Sequence, residues 1–108
     1  MSDVFDPQGT LERLHRDYRQ RTEAIRDDLA RPHDTDATER AGERQNDEVL
    51  QALLAEAEAG LRQVERARQR LAEGRYGLCR RCGQPIEPAR LAALPVAELC
   101  LHCAGLEH

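Results

Sequence analysis

Leu78-Cys79-Arg80-Arg81-Cys82-Gly83 and Leu99-Cys100-Leu101-His102-Cys103 decide how this chain folds. Two C-x-x-C pairs stand 17 residues apart, the arrangement of a four-thiolate zinc site. With Cys79, Cys82, Cys100 and Cys103 all engaged, no coordination position is left for water or substrate. The metal is therefore read as one structural Zn2+. A redox C-x-x-C centre normally sits in a βαβ setting, which this sequence does not offer. In an oxidising compartment the same four residues could instead close two disulfides. His102 stands beside a set that is already complete, so it is read as a surface residue or a neighbour of the metal's ligands and not as a ligand.

Working outward, the composition limits what else the chain can be. It has 108 residues with one Phe, two Tyr and no Trp, too few aromatics for a large globular core. The segment 76–108 is about half the size that folds without a staple. Structural zinc supplies on the order of 10 kcal/mol of folding free energy to such a module. Net charge is −4, and all sixteen Lys/Arg positions are arginine, so nucleic acid is not indicated as the main partner. No apolar run approaches the roughly 20 residues of a membrane span. Met1-Ser2-Asp3-Val4-Phe5-Asp6 is acidic and lacks a hydrophobic signal core, so a cytoplasmic protein is expected.

Upstream of the cysteines the pattern is helical. Leu11, Leu14, Tyr18, Thr22, Ile25 and Leu29 form a narrow stripe, with Asp6-Pro7 as its start and Pro32 as its stop. Residues 31–36 read as a polar turn. A second helix is expected from Ala37 to Glu73, striped by Leu50, Leu53, Leu54, Ala57, Leu61, Val64, Ala67 and Leu71. Leu50, Ala57, Val64 and Leu71 recur every seven residues, a coiled-coil seam interrupted by Gly60 and closed by Gly74. The fold class is thus all-α: an antiparallel coiled-coil helical hairpin (residues 1–75) on a small four-cysteine zinc-finger module (residues 76–108). The rod would be about 55 Å long. Between Ala37 and Glu48 large apolar residues are scarce, so its outer part is expected to be weakly cross-packed. Past Tyr76, glycines and prolines break the chain into knuckles, with Gly83 suited to a positive φ and a helical turn at 90–94.

Two charged groups invite interpretation. The tip, residues 34–41, carries Asp34, Asp36 and Glu39, and Arg31 to Glu48 has a net charge of −3. Such a tip suits a cationic or magnesium-bearing cavity. Asp36-x-x-Glu39 is equally a capping-box pattern, and both readings stand on local grounds. Arg62, Arg66 and Arg70 share a helix row. A phosphate site is one reading; a solvated face with a Glu58–Arg62 pair is the ordinary one. His15 and His33 are isolated and expected to face solvent. No Ser/His/Asp set, P-loop or dinucleotide fingerprint is present, so no catalysis by the chain itself is expected.

Tyr76 to Ile86, Arg90-Leu91 and Pro95 to Cys103 together resemble the DksA/TraR zinc-finger proteins of bacteria, without gaps back through the second helix to the turn. That resemblance implies binding to RNA polymerase, with the hairpin inserted into its secondary channel and an acidic tip near the catalytic centre. The family's tip pattern, D-x-x-D-x-A, falls on Asp36, Glu39 and Ala41, with Glu39 one methylene longer than the family's aspartate. Family members that respond to ppGpp carry basic residues where this chain has Gln63, Leu94 and Ala104, so weak or absent ppGpp dependence is implied. A monomer without sequence-specific DNA binding is expected. Two other readings stay open: a Gre-like transcript-cleavage helper, and a zinc-stapled interaction module with another partner.

Overall fold

Asp6, in extended conformation, and Pro7, at the first helical position, open α1 (Pro7–Ala30). Pro fits there because its missing N–H has no intrahelical partner to lose. The computed structural model describes residues 5–31 and 37–106, with side chains from Arg44 onward in the second stretch. After α1 come α2 (Ala37–Ala72), α3 (Pro88–Ala93) and α4 (Leu101–Gly105). Among the described residues there is no strand beyond an isolated antiparallel bridge between Leu78 and Pro85.

α1 and α2 pack along their length, and the molecule measures 58 × 34 × 25 Å. Leu11, Thr22 and Ile25 of α1 are buried against Ala57, Val64 and Ala67 of α2. Leu14, Tyr18, Leu29, Leu50, Leu54, Leu61 and Leu71 are half-buried along the same seam. Buried Thr22 satisfies its hydroxyl by donating to the Tyr18 carbonyl at 2.6 Å, one turn back.

Leu53 departs from the expected stripe and is 46% exposed. It shares a seven-residue row with Gly60 and Ala67, which are both buried, so the exposure is local to position 53 and not a property of the row. His15 also departs from expectation. It is half-buried, with Nε2 3.5 Å from Glu65 of α2. Glu58 pairs across the hairpin with Arg26 at 2.5 Å, not along its own helix as expected, because the antiparallel register brings α1 within reach.

α2 ends before Gly74. The cysteine module that follows has its own apolar cluster of Cys79, Ile86, Ala97, Cys100 and Cys103, with Leu91 and Leu99 packed against it. No α2 residue belongs to that cluster. The short helix α4, unmarked by periodicity, is a departure from the knuckles and turns expected here. Five residues are too few for a hydrophobic pattern to declare a helix.

Candidate metal centre and its neck

The first cysteine pair sits on a tight turn. The Cys79 N–H donates to the Gln84 carbonyl at 2.8 Å, and the Gly83 N–H donates back to the Cys79 carbonyl at 2.9 Å. Gly83 has φ +78°, a conformation that a side chain would strain. The second pair uses a helix start instead. Cys100 is the N-cap of α4 and Cys103 lies one turn on, its N–H donating to the Cys100 sulfur at 3.5 Å. Both devices bring two sulfurs to one side of the backbone.

All four sulfurs lie within 4.8 Å of one another, and Cys82 and Cys100 are 3.9 Å apart. A tetrahedral zinc with Zn–S of about 2.3 Å needs sulfurs about 3.8 Å apart. The four residues therefore fit one zinc ion, and none is in a disulfide. Cys79, Cys100 and Cys103 are buried, while Cys82 faces solvent. His102 is exposed and outside the cluster.

The electrostatics of the metal-free cluster are uneven. Burial alone would push the Cys79 thiol up, but backbone hydrogen bonds from Cys82, Cys100 and Arg81, helped by Cys103, bring it down to about 5. Burial and then thiol hydrogen bonds to Cys100, Cys79 and Cys82 push Cys103 up to about 12. Four thiolates cannot gather without a cation, and zinc supplies that charge.

The neck joins this centre to the rod through polar contacts. Arg70, only 8% exposed, donates from Nη2 to the Leu78 carbonyl, immediately before Cys79, and to the Arg75 carbonyl at 3.3 Å. Arg66 donates from Nε to Glu98 at 2.9 Å, and Arg80 lies 3.1 Å from the other oxygen of the same carboxylate. The Tyr76 hydroxyl donates to the Pro95 carbonyl at 2.8 Å, and burial raises its pKa. The arginine row expected to be a solvated face is thus exposed at Arg62 and buried at Arg70, where the chain folds back over the helix end. Sequence spacing could not reveal these contacts, because Arg66 and Glu98 are 32 residues apart.

Other expected positions divide. Gln63 and Leu94 line one groove of about 230 Å³ at the neck, together with Arg66, Arg80 and Arg90. Ala104 is half-buried in α4 and is not among the residues lining that groove. Asp36 lies outside the described residues, as do Asp34 and His33. Glu39 and Ala41 fall in the first turns of α2, where only the helical backbone is described.

Residues 8–71 match the DnaK suppressor protein-like N-terminal domain, and residues 74–107 match the prokaryotic dksA/traR C4-type zinc finger. The chain belongs to the DksA/TraR family. Its fold is similar to that of the transcription factor DksA2 from Pseudomonas aeruginosa, with a TM-score of 0.83 and 29% identity, over 94% of this chain and 79% of that one. It is also similar to the DnaK suppressor protein from Agrobacterium tumefaciens C58, with a TM-score of 0.62 and 35% identity, over 93% of this chain and 89% of that one. An uncharacterized protein of Aquifex aeolicus (strain VF5) is 38% identical over 58 residues, a stretch that spans 54% of this chain and 40% of that protein. Among the described residues of this DksA/TraR member, no helix is long and apolar enough to cross a membrane.

Proposed function

We propose that this chain is a DksA-like transcription regulator. It binds RNA polymerase through the secondary channel as a monomer and modulates initiation without chemistry of its own. The similarity to the transcription factor DksA2, running through rod, neck and metal module alike, is the observation that carries this reading. The regulator acts as a population shift: it biases initiation only by the difference in its affinity for successive promoter-complex conformations. Asp36 and Glu39 supply negative charge at the tip, Ala41 permits close approach, and α2 supplies reach.

Dependence on ppGpp is weak or absent in this reading. Gln63, Leu94 and Ala104 cannot neutralise phosphate. The neck arginines are already engaged: Arg66 and Arg80 with Glu98, and Arg90 with the Leu99 carbonyl at 2.9 Å.

A pull-down with core RNA polymerase, paired with an initiation assay, tests the proposal. The native chain should be captured and should alter initiation. The Asp36→Asn/Glu39→Gln variant should be captured equally and lose the transcriptional effect. Failure of the native chain to bind polymerase overturns the reading. Magnesium-dependent shortening of RNA in a backtracked complex would assign it to transcript cleavage instead.

A further inference from the structure

The rod and the metal module do not share an apolar core. The module's cluster contains no α2 residue, and α1 and α2 make the one extensive helix–helix interface among the described residues. Units joined without a large hydrophobic interface reorient by default. Here two arginines of one α2 row, four residues apart, reach the two halves of the metal site separately. Arg70 grips the carbonyl of Leu78, next to Cys79. Arg66 grips the carboxylate of Glu98, two residues before Cys100. Glu98 also holds Arg80, which lies between Cys79 and Cys82, through its other oxygen at 3.1 Å, and the Arg80 N–H donates to the Glu98 carbonyl at 2.8 Å.

We propose that Arg66 and Arg70 are positioning residues that, with Glu98, fix the direction of the rod relative to the metal centre. The zinc sets the spacing of the two cysteine pairs, and the two guanidiniums transfer that spacing to α2. Arg70 is suited to the part because it is buried and charged. Its Nη2 donates both to the Leu78 carbonyl and to the Arg75 carbonyl, which also accepts from the Leu78 N–H, so one long side chain ties the helix end to the start of the cysteine turn. Arg66 and Glu98 are more exposed, so their share weakens with salt, whereas the Arg70 share does not. Transcriptional consequences of this joint rest on the polymerase reading above; the joint itself does not.

Amide 15N relaxation on the zinc-loaded full chain tests it without polymerase. In the native protein, amides of α2 and of residues 77–104 should report one common tumbling time. In Arg70→Met, and in the Arg66→Gln/Glu98→Gln double variant, the module should report a shorter tumbling time than the rod. Zinc should stay at one ion per chain with unchanged helical circular dichroism. Arg70→Lys should restore part of the common tumbling, and 0.5 M salt should loosen the native joint only slightly. If Arg70→Met fails to fold, the double variant decides, since its groups are partly exposed. Common tumbling retained in the double variant at high salt, or in a folded Arg70→Met, overturns the proposal. If tumbling separates as expected, both variants should also lose transcriptional effect. Loosened variants that keep full effect would overturn that consequence and leave the joint standing, whereas a native chain that fails to bind polymerase would overturn the polymerase reading alone.

Discussion

The ring of Tyr18 occupies the space where Gly60 would carry a side chain. A β-carbon built on Gly60 would fall 2.4 Å from Tyr18 Cε1 and 2.5 Å from Cζ. The glycine that interrupts the heptad seam is therefore a socket for an aromatic residue on the facing helix. The Arg21 guanidinium lies 4.9 Å from the centroid of the same ring. The helix-propensity loss at position 60 is offset by an aromatic contact that no other residue type would admit.

Gly60→Ala sets two effects against each other. Alanine improves helix propensity by about 1 kcal/mol. Forcing a methyl against the ring costs about 1–3 kcal/mol through displacement of Tyr18. Net destabilisation of about 1 kcal/mol is expected in denaturant unfolding. In a Tyr18→Ala background the same change should become stabilising; if it destabilises there too, the socket is not the cause.

Burial should outweigh surface pairing along the rod. Leu11 is fully buried, so Leu11→Ala should cost about 2–4 kcal/mol. Arg26→Ala removes an ion pair between partly exposed partners and should cost less than about 1 kcal/mol. Thermal unfolding of both variants measures the contrast, and equal losses would contradict it.

Chelation should separate the two parts of the molecule. α1 and α2 hold 24 and 36 helical residues around their own seam, while α3 and α4 hold 6 and 5. Removing zinc should collapse the amide dispersion of residues 77–104 and leave most of the helical circular dichroism intact. Parallel loss of both signals would contradict the separateness of the two cores.

Zinc affinity should climb with pH. In the metal-free cluster Cys103, held at about 12, keeps its proton at neutral pH, and the metal must expel it. Release of at least one proton makes the apparent affinity rise at least about tenfold per unit between pH 6 and 8. The two thiols have opposite signs in the metal-free module. The depressed Cys79 contributes stability above its ordinary thiol value and loses it as pH falls through about 5. The raised Cys103 contributes stability below about 9 and loses it as pH rises toward about 12. Competition against a colorimetric chelator at three pH values measures the slope, and a flat response would contradict it.

What could be read in advance divides along sequence distance. The stripe from Leu11 to Leu29, the seven-residue recurrence through Val64 and the paired cysteines are local patterns, and each corresponds to an observed element. The positive φ at Gly83 follows from the turn that closes immediately after Cys82. The partners of Tyr18, His15, Arg66 and Arg70 were not legible in this way. Each is chosen by the antiparallel register or by the fold-back of the neck, and a polar residue on a helix carries no mark of which distant group it will meet. Asp36, Glu39 and Ala41 are the reverse case: they rest on a family pattern, and the described side chains begin beyond them.

α2 runs as one helix of 36 residues from Ala37 to the neck, about 54 Å at 1.5 Å per residue. Over that span a tilt of about 5° at its base displaces the far end by about 5 Å, more than the width of a carboxylate. Angular error of a few degrees beside Arg70 thus becomes a miss of atomic consequence at Ala37. A long arm demands stiffness chiefly at its root, where the buried guanidinium sits.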